Sequence, residues 1–225
     1  MPSTMIYETV VTTQNAQGQV HIAPMGVREE NGFIILAPFK PSTTLENILA
    51  TRSAVINLTD DVRVIAGCLT GRKDWPTVPA DQVKSQRLRD SLVHRELTLE
   101  RIEDNGQRPR LFCKCVKEVS HAPFRGFNRA QAAVVEGAIL ASRLHMLPWE
   151  KIEAEMKYHT IAIEKTAGPR EREAWTWEHM ALTRARVISA SPPFREKIEA
   201  IIRSALTRPR DASGNGHQFV VAGGE

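Results

Sequence analysis

The residues best suited to chemistry lie in the stretch PFKPSTTLENIL, residues 38–49. It offers one cation, Lys40, and three consecutive hydroxyls at positions 42–44, at the start of a short apolar helical pattern. A cation, hydroxyl donors and free backbone N–H groups at a helix N-terminus together bind a phosphate dianion. An ordinary capping box, with Thr43 as the N-cap and Glu46 three residues later, explains the same pattern without needing the lysine. This stretch alone leaves both interpretations open.

A second stretch, HIAPMGV at residues 21–27, is predicted to be a strand, although it contains a proline and a glycine. Alternation places His21 and Met25 on one face. Pro24 cannot donate to a ladder, and Gly26 allows a flat ring to approach the backbone. Taken alone, the stretch favours an edge strand that proline protects from further pairing.

A third stretch, INLTDD at residues 56–61, has Asn57 and Thr59 on one face of an otherwise apolar strand. Buried polar side chains need hydrogen-bond partners. Either a ligand or a neighbouring turn can supply them, and the residues do not decide between the two.

Other chemistry-bearing residues favour structural roles. Cys113 and Cys115 share one face of a strand, but two ligands do not make a metal site, so buried hydrophobic cysteines and no metal are predicted. The Trp175, Trp177 and His179 group has helical spacing, which favours core packing. The chain has no signature of a dinucleotide site, a P-loop, a zinc protease or a serine hydrolase, and no catalytic residue is predicted.

The composition is that of a globular domain. The chain has 225 residues, 42% of them hydrophobic, and a net charge of +4. Because acidic and basic residues are interspersed, this charge argues against nucleic acid as the partner. The three cysteines, the lack of an apolar leader and the lack of a long apolar run predict a cytoplasmic protein without disulfides or a membrane span.

The elements that must position these residues fall into two groups. The first half alternates with period two and predicts six strands joined largely by short turns, with one helix at residues 43–51 and a mixed segment at 60–91. This count suits a small antiparallel barrel. The predicted strands are residues 5–13, 20–27, 33–37, 54–59, 97–103 and 111–119.

After about residue 125 the apolar period becomes 3.6, which predicts helices. Asn128 caps the first of them, and Gly137 within it predicts close packing against another element. Pro148 is predicted at the first position of the next helix. The predicted domains are a barrel at residues 1–125, a helical domain at 126–206, with a last helix from Phe194, and a flexible tail at 207–225.

Three pieces in this order resemble the flavin-reductase-like split barrel: an [N/H]-x-A-P strand, a helix start in which a lysine, serine or threonine residues and an N-[IL] pair follow one another, and a V-x-N strand. They are residues 21–24, residues 40–48 and residues 55–57. Four further stretches are similar to one family in particular. They are the helical stretches FNRAQAAVVEGAILASRLHML and AIEKTAGPRE, and the stretches YETVVTT and NLTDD. It is the FMN-binding split-barrel family catalogued as domain of unknown function 447, and the resemblance covers roughly residues 5–190.

The resemblance implies an α+β fold, in which a six-stranded antiparallel split β-barrel precedes a C-terminal α-helical domain. It also implies a homodimer with FMN at the subunit interface. According to this resemblance, the FMN phosphate would be bound by Lys40, Ser42, Thr43 and Thr44. The isoalloxazine ring would face the backbone of Met25, Gly26 and Val27. The polar anchors would be Asn47 and Asn57, and His21 would line the site.

The expected function is that of an FMN-binding flavoprotein. In such a barrel the flavin N5 exchanges hydride, and the protein supplies binding, orientation and hydrogen bonds. The leading hypothesis is an oxidoreductase of a small, pterin-like substrate. The alternatives are a non-catalytic flavin carrier or sensor and, more remotely, a basic module that binds nucleic acid.

Overall fold

The computed structural model describes residues 5–190. The chain divides into two compact units between Leu182 and Thr183, and the described part of the second unit is residues 183–190. The predicted last helix from Phe194 and the predicted tail at 207–225 lie outside the described residues. Among the helices of the described part, none is long and apolar enough to cross a membrane.

Within residues 5–190, six of the eight strands close a barrel in the order β1-β2-β3-β8-β7-β4, and β5 and β6 form a separate two-stranded sheet. All the strand pairs are antiparallel. This confirms the predicted six-stranded antiparallel barrel. The strands are β1 (Tyr7–Gln14), β2 (Val20–Glu30), β3 (Phe33–Leu36), β4 (Ser53–Leu58), β5 (Thr77–Pro79), β6 (Gln86–Leu88), β7 (Val93–Glu103) and β8 (Arg110–Ser120).

Alternation along the strands builds the barrel core. Val11, Ile56 and Leu97 belong to one buried cluster, to which helix α1 (Thr43–Thr51) adds Leu45 and Ile48. Each such fully buried aliphatic side chain contributes about 1.5–3 kcal/mol relative to exposure. This packing therefore fixes α1 against the barrel.

The β5–β6 hairpin lies within residues 60–91, the segment in which the pattern of apolar residues was mixed and predicted no strand. It lies on polar side chains of the barrel strands: Leu88 N donates to Asn57 Oδ1 at 2.8 Å, and Thr12 Oγ1 donates to Gln86 O. Asn57 Nδ2 also donates to Val10 O at 3.0 Å. Asn57 therefore finds its hydrogen-bond partners on strands β1 and β6, and not in the turn next to it in the sequence.

The remaining helices are α2 (Arg63–Leu69), α3 (Arg129–Ser142), α4 (Trp149–Thr166) and α5 (Pro169–Ala190). Asn128 caps α3 as predicted, since its Oδ1 accepts the N–H groups of Ala130 and Gln131. The prediction for Pro148 is wrong by one position. It is the N-cap of α4 with extended backbone, and the helix begins at Trp149.

Gly137 confirms the predicted close packing of α3. A Cβ there would collide with Glu178 Oε2 and stand 2.8 Å from the Trp175 ring, so only glycine lets α5 approach this closely. The buried face of α5 differs from the prediction in detail. Trp175 is 8% exposed and Glu178 is fully buried, whereas Trp177 is half-buried.

Candidate functional site

A cavity of about 790 Å³ lies beside the barrel. Its size falls within the range of about 300–1,000 Å³ usual for small-molecule sites. Strands β1 and β2, the loop that leads into α1, and the second half of α3 form its walls. Its polar or charged lining residues are Glu8, His21, Arg28, Ser42, Thr43, Thr44, Arg108, Ser142 and Arg143.

The N-terminus of α1 opens into this cavity. Ser42 is the N-cap, and its Oγ accepts the N–H of Leu45 at 3.3 Å. The prediction that Thr43 caps the helix is therefore wrong, because Ser42 holds the extended backbone that a cap requires. The first intrahelical bond runs from Glu46 N to Ser42 O, so the N–H groups of Thr43 and Thr44 precede it. Hydroxyl and N–H donors thus converge on one end of the cavity.

Arg108, from the β7–β8 turn, is a cation of the cavity lining that contacts the loop leading into α1. Its Nε donates to Ala37 O at 2.8 Å, and its guanidinium lies 4.6 Å from the Phe39 ring centroid. Lys40 instead forms an ion pair with Asp104 at 2.8 Å, and its side chain does not line the cavity. Lys40 follows Phe39 and precedes Pro41, which both line the cavity, so it stands at the rim rather than inside.

The floor of the cavity is the β1–β2 strand pair. Glu8 pairs with Gly26, while Val27 turns into the barrel core. A Cβ on Gly26 would stand 2.7 Å from Ile6 Cγ2, so Ile6 already covers this glycine. A flat ring entering here therefore meets Ile6 before it meets the backbone of Gly26.

His21 also lines the cavity, near the start of β2. Burial and, secondarily, the charge of Lys73 lower the pKa of His21 below its usual 6.5. The imidazole is consequently neutral at pH 7, with one nitrogen able to donate a hydrogen bond and the other able to accept one.

Two residues from the sequence-based set lie elsewhere. Asn47 is buried and donates from Nδ2 to Thr13 Oγ1 at 3.0 Å. Asn57 is fully buried beneath the β5–β6 hairpin. The cavity brings together His21, Met25, Gly26, Ser42, Thr43 and Thr44 from that set, and leaves Val27, Lys40, Asn47 and Asn57 outside its lining.

Sequence reasoning missed the cavity's other charged residues, Glu8, Arg28, Arg108 and Arg143. They come from β1, β2, the β7–β8 turn and the end of α3, and no local spacing links them. Because His21 is neutral, the charged side chains of the cavity lining are three arginines and one glutamate. Their net positive charge favours an anionic ligand.

A second polar cluster lies away from this cavity. The carboxylates of Asp81 and Glu96 and the His94 imidazole come within 4.8 Å of one another, a spacing that a metal ion can bridge. Hydrogen bonds already occupy them. Glu96 accepts three N–H groups from residues 81–83 and contacts His94 Nε2 at 3.1 Å, and Asp81 pairs with Lys117 at 2.5 Å. The cluster is a satisfied network rather than an open coordination site.

The cysteines correct one prediction. Cys113 is buried, but Cys115 is exposed, because β8 extends beyond the covered part of the barrel at that point. Burial raises the pKa of Cys68 to about 11 and that of Cys113 to about 12. Both thiols therefore stay protonated near neutral pH and are poor nucleophiles.

Comparison with solved structures finds the same fold. An FMN-bound DUF447 protein from Methanosarcina mazei superposes with a TM-score of 0.70 at 18% identity, over 80% of this chain and 96% of that one.

Several curated sequences match a short stretch of this chain. A bifunctional glutamine synthetase adenylyltransferase/adenylyl-removing enzyme from Rhodopseudomonas palustris is 69% identical over 51 residues, 23% of this chain. One from Bradyrhizobium is 71% identical over 49 residues, 22% of this chain. The chain spans 5% of the length of each of these enzymes.

The family comparison covers most of the chain. The N-terminal domain of the protein family of unknown function DUF447 matches residues 7–122, which contain the whole barrel. Its C-terminal domain matches residues 128–177, which contain α3, α4 and the start of α5. The chain therefore belongs to the DUF447 family.

Proposed function

We propose that this chain binds FMN in the cavity beside the barrel, with the phosphate at the N-terminus of α1. The observation that carries the proposal is the convergence of N–H groups, three hydroxyls and Arg108 at one end of a cavity large enough for a flavin. Helix dipole and charged hydrogen bonds both favour a dianion there. The FMN bound by the relative from Methanosarcina mazei supports the choice of ligand.

The chain's own residues would hold and orient the cofactor. Ser42, Thr43 and Thr44 donate to the phosphate, and Arg108 adds a forked pair of N–H donors. Apolar side chains from α3, Val135 and Ile139, exclude water from the opposite wall. Bound FMN would supply hydride exchange at N5, so the protein needs no acid/base constellation of its own for that step.

A purified-protein experiment tests this proposal. We expect a flavin absorption spectrum, release of FMN on denaturation, and quenching of added FMN fluorescence on rebinding. Protein that is colourless and fails to quench FMN fluorescence contradicts the proposal.

The phosphate contact gives a sharper prediction. Arg108→Met should weaken FMN binding about 10- to 100-fold, because a charged hydrogen bond contributes about 1.5–3 kcal/mol. Riboflavin, which lacks the phosphate, should bind both proteins alike. The matched variant Lys40→Met should change FMN affinity less, since Lys40 is paired with Asp104. If Lys40→Met lowered FMN affinity more than Arg108→Met, the phosphate would instead bind beside Lys40 at the rim of the cavity.

We further propose that the flavin acts in an oxidoreductase whose substrate is small and pterin-like. Cavity space beside His21 and α3 supports access of a second molecule to the ring. Bleaching of the bound flavin by NADH or NADPH, followed by recovery when a substrate is added, is the expected result. Stable oxidised flavin in the presence of all tested donors would favour the carrier or sensor alternative.

A homodimer with FMN at the interface is part of the same proposal. Ile6 and Phe39 line the cavity, yet they are 49% and 59% exposed. Met5 and Tyr7 beside them are 66% and 48% exposed. Such apolar groups around an open ligand site suit burial by a second copy of the chain.

A further inference from the structure

Glu8 is the one acidic residue of the described chain that lines the cavity. It pairs with Gly26 across the β1–β2 ladder. Its Oε1 and Oε2 lie 3.6 and 4.0 Å from the position that a Cβ on Gly26 would occupy. The carboxylate thus lies over β2, one of the two strands that form the cavity floor.

Within residues 5–190 the Glu8 carboxylate has no hydrogen bond or ion pair, although three arginines line the same cavity. Arg28 is the nearest of them along the ladder, because it lies two residues beyond Gly26 on the same face of β2. Diagonal neighbours of this kind have Cα atoms about 7–8 Å apart. Two opposite charges therefore stand side by side without pairing, and a polar ligand edge fits between them.

The isoalloxazine ring has an edge of matching polarity, on which the N3–H lies between two carbonyl groups. A carboxylate can only accept at such an edge, and a guanidinium can only donate. We propose that Glu8 accepts the N3–H of the flavin and that Arg28 donates to the adjacent carbonyl. This proposal rests on the FMN proposal above and assigns two positioning residues to it.

The two charges should also tune the flavin's reduction potential. Reduction adds electron density to the ring, which a nearby carboxylate opposes and a nearby guanidinium favours. Glu8→Gln should therefore raise the midpoint potential, and Arg28→Met should lower it. Opposite shifts from two neighbouring substitutions are not expected of a general loss of structure.

The first measurement is the midpoint potential of the FMN-loaded protein, obtained by equilibration with reference dyes. Each variant should change the reduction equilibrium at least tenfold, which is about 30 mV for a two-electron couple. Glu164→Gln on α4 and Arg172→Met on α5 are matched exposed controls outside the cavity lining, and they should leave the potential unchanged.

The second measurement compares FMN with 3-methyl-FMN, in which a methyl group replaces the N3 hydrogen. The unaltered protein should bind the analogue about tenfold more weakly than FMN, and Glu8→Gln should reduce that ratio, because its amide also offers an N–H donor. If FMN binds but neither the potential nor this ratio responds to Glu8→Gln, the present proposal is wrong while FMN binding stands. If the unaltered protein fails to bind FMN, both proposals are wrong.

Discussion

At the residue scale, Glu178 is the most unusual side chain of the described structure. It is fully buried on α5 against Gly137 of α3, and neither carboxyl oxygen has a hydrogen-bond partner. Burial raises the pKa of Glu178 from 4.5 to about 9. The folded protein therefore keeps this carboxyl protonated at pH values where the unfolded chain has already ionised it.

This difference makes stability depend on pH with a definite sign. Between about pH 4.5 and pH 9 the folded state binds more protons than the unfolded state, so the free energy of unfolding falls as pH rises. The contribution is at most about 1.4 kcal/mol per pH unit for one group. Glu178→Gln should flatten this fall, because an amide has the same shape without a charge. Urea unfolding at pH 6, 7, 8 and 9 measures the slope.

The matched control is Glu164→Gln, which alters an exposed carboxyl on helix α4. Its unfolding curves should keep the pH slope of the unaltered protein. If the free energy of unfolding of Glu178→Gln still falls with pH as steeply as that of the unaltered protein, other groups cause the pH dependence.

At the element scale, the β5–β6 hairpin depends on polar side chains of the barrel for its attachment. Glu96 on β7 is fully buried, and it accepts the N–H groups of Asp81, Gln82 and Val83 at 2.6–3.1 Å. Burial opposes the charge on Glu96, but these donors and His94 outweigh it and hold its pKa below the usual value. The Glu96 carboxylate therefore accepts three consecutive N–H groups of the connection between β5 and β6.

Removing that carboxylate should release the connection. We expect Glu96→Ala to lower the free energy of unfolding by about 2–5 kcal/mol, because several buried N–H groups lose their acceptor at about 1–3 kcal/mol each. Limited proteolysis should then cut residues 80–85 faster than in the unaltered protein. The control is Lys84→Ala, which alters the same segment but keeps the Glu96 carboxylate. The protease should cut this variant no faster than the unaltered protein. Unchanged stability and proteolysis would show that the barrel does not need this attachment.

At the scale of the whole molecule, the exposed apolar residues around the cavity give the dimer proposal a direct test. Ile6→Glu combined with Phe39→Glu should raise the dimer dissociation constant at least about 100-fold, since each buried aliphatic or aromatic side chain contributes about 1.5–3 kcal/mol. Light scattering after gel filtration measures the mass. Ile161→Glu, which alters an exposed apolar residue of α4, should remain dimeric.

A monomeric mass for the unaltered, FMN-loaded protein at micromolar concentration would contradict the dimer proposal. A dimer that persists in the double variant would place the interface on another face of the molecule. Either result leaves the FMN titration with Arg108→Met as an independent test of the phosphate site.

The amino-acid sequence by itself determined the six barrel strands, the starts of α1 and α3, and the hydroxyl cluster, because period-two alternation, capping residues and turn residues are local patterns. Ser42, Thr43 and Thr44 were recognisable for the same reason: a helix start needs only its immediate neighbours in the chain. Asn57 lay at the limit of this reasoning, since the need for a partner was visible and the partner was not.

Only the tertiary structure decided which charges meet. Lys40 satisfies the sequence pattern of a phosphate ligand, but Asp104, 64 residues away, pairs with it. Arg108 lines the cavity where Lys40 does not, and Glu8 comes to lie diagonally across from Arg28 through strand pairing. Glu178 loses its water because α5 packs on Gly137. Pairing and burial of charges depend on closure of the barrel and packing of the helices, and neither leaves a periodic trace in the sequence.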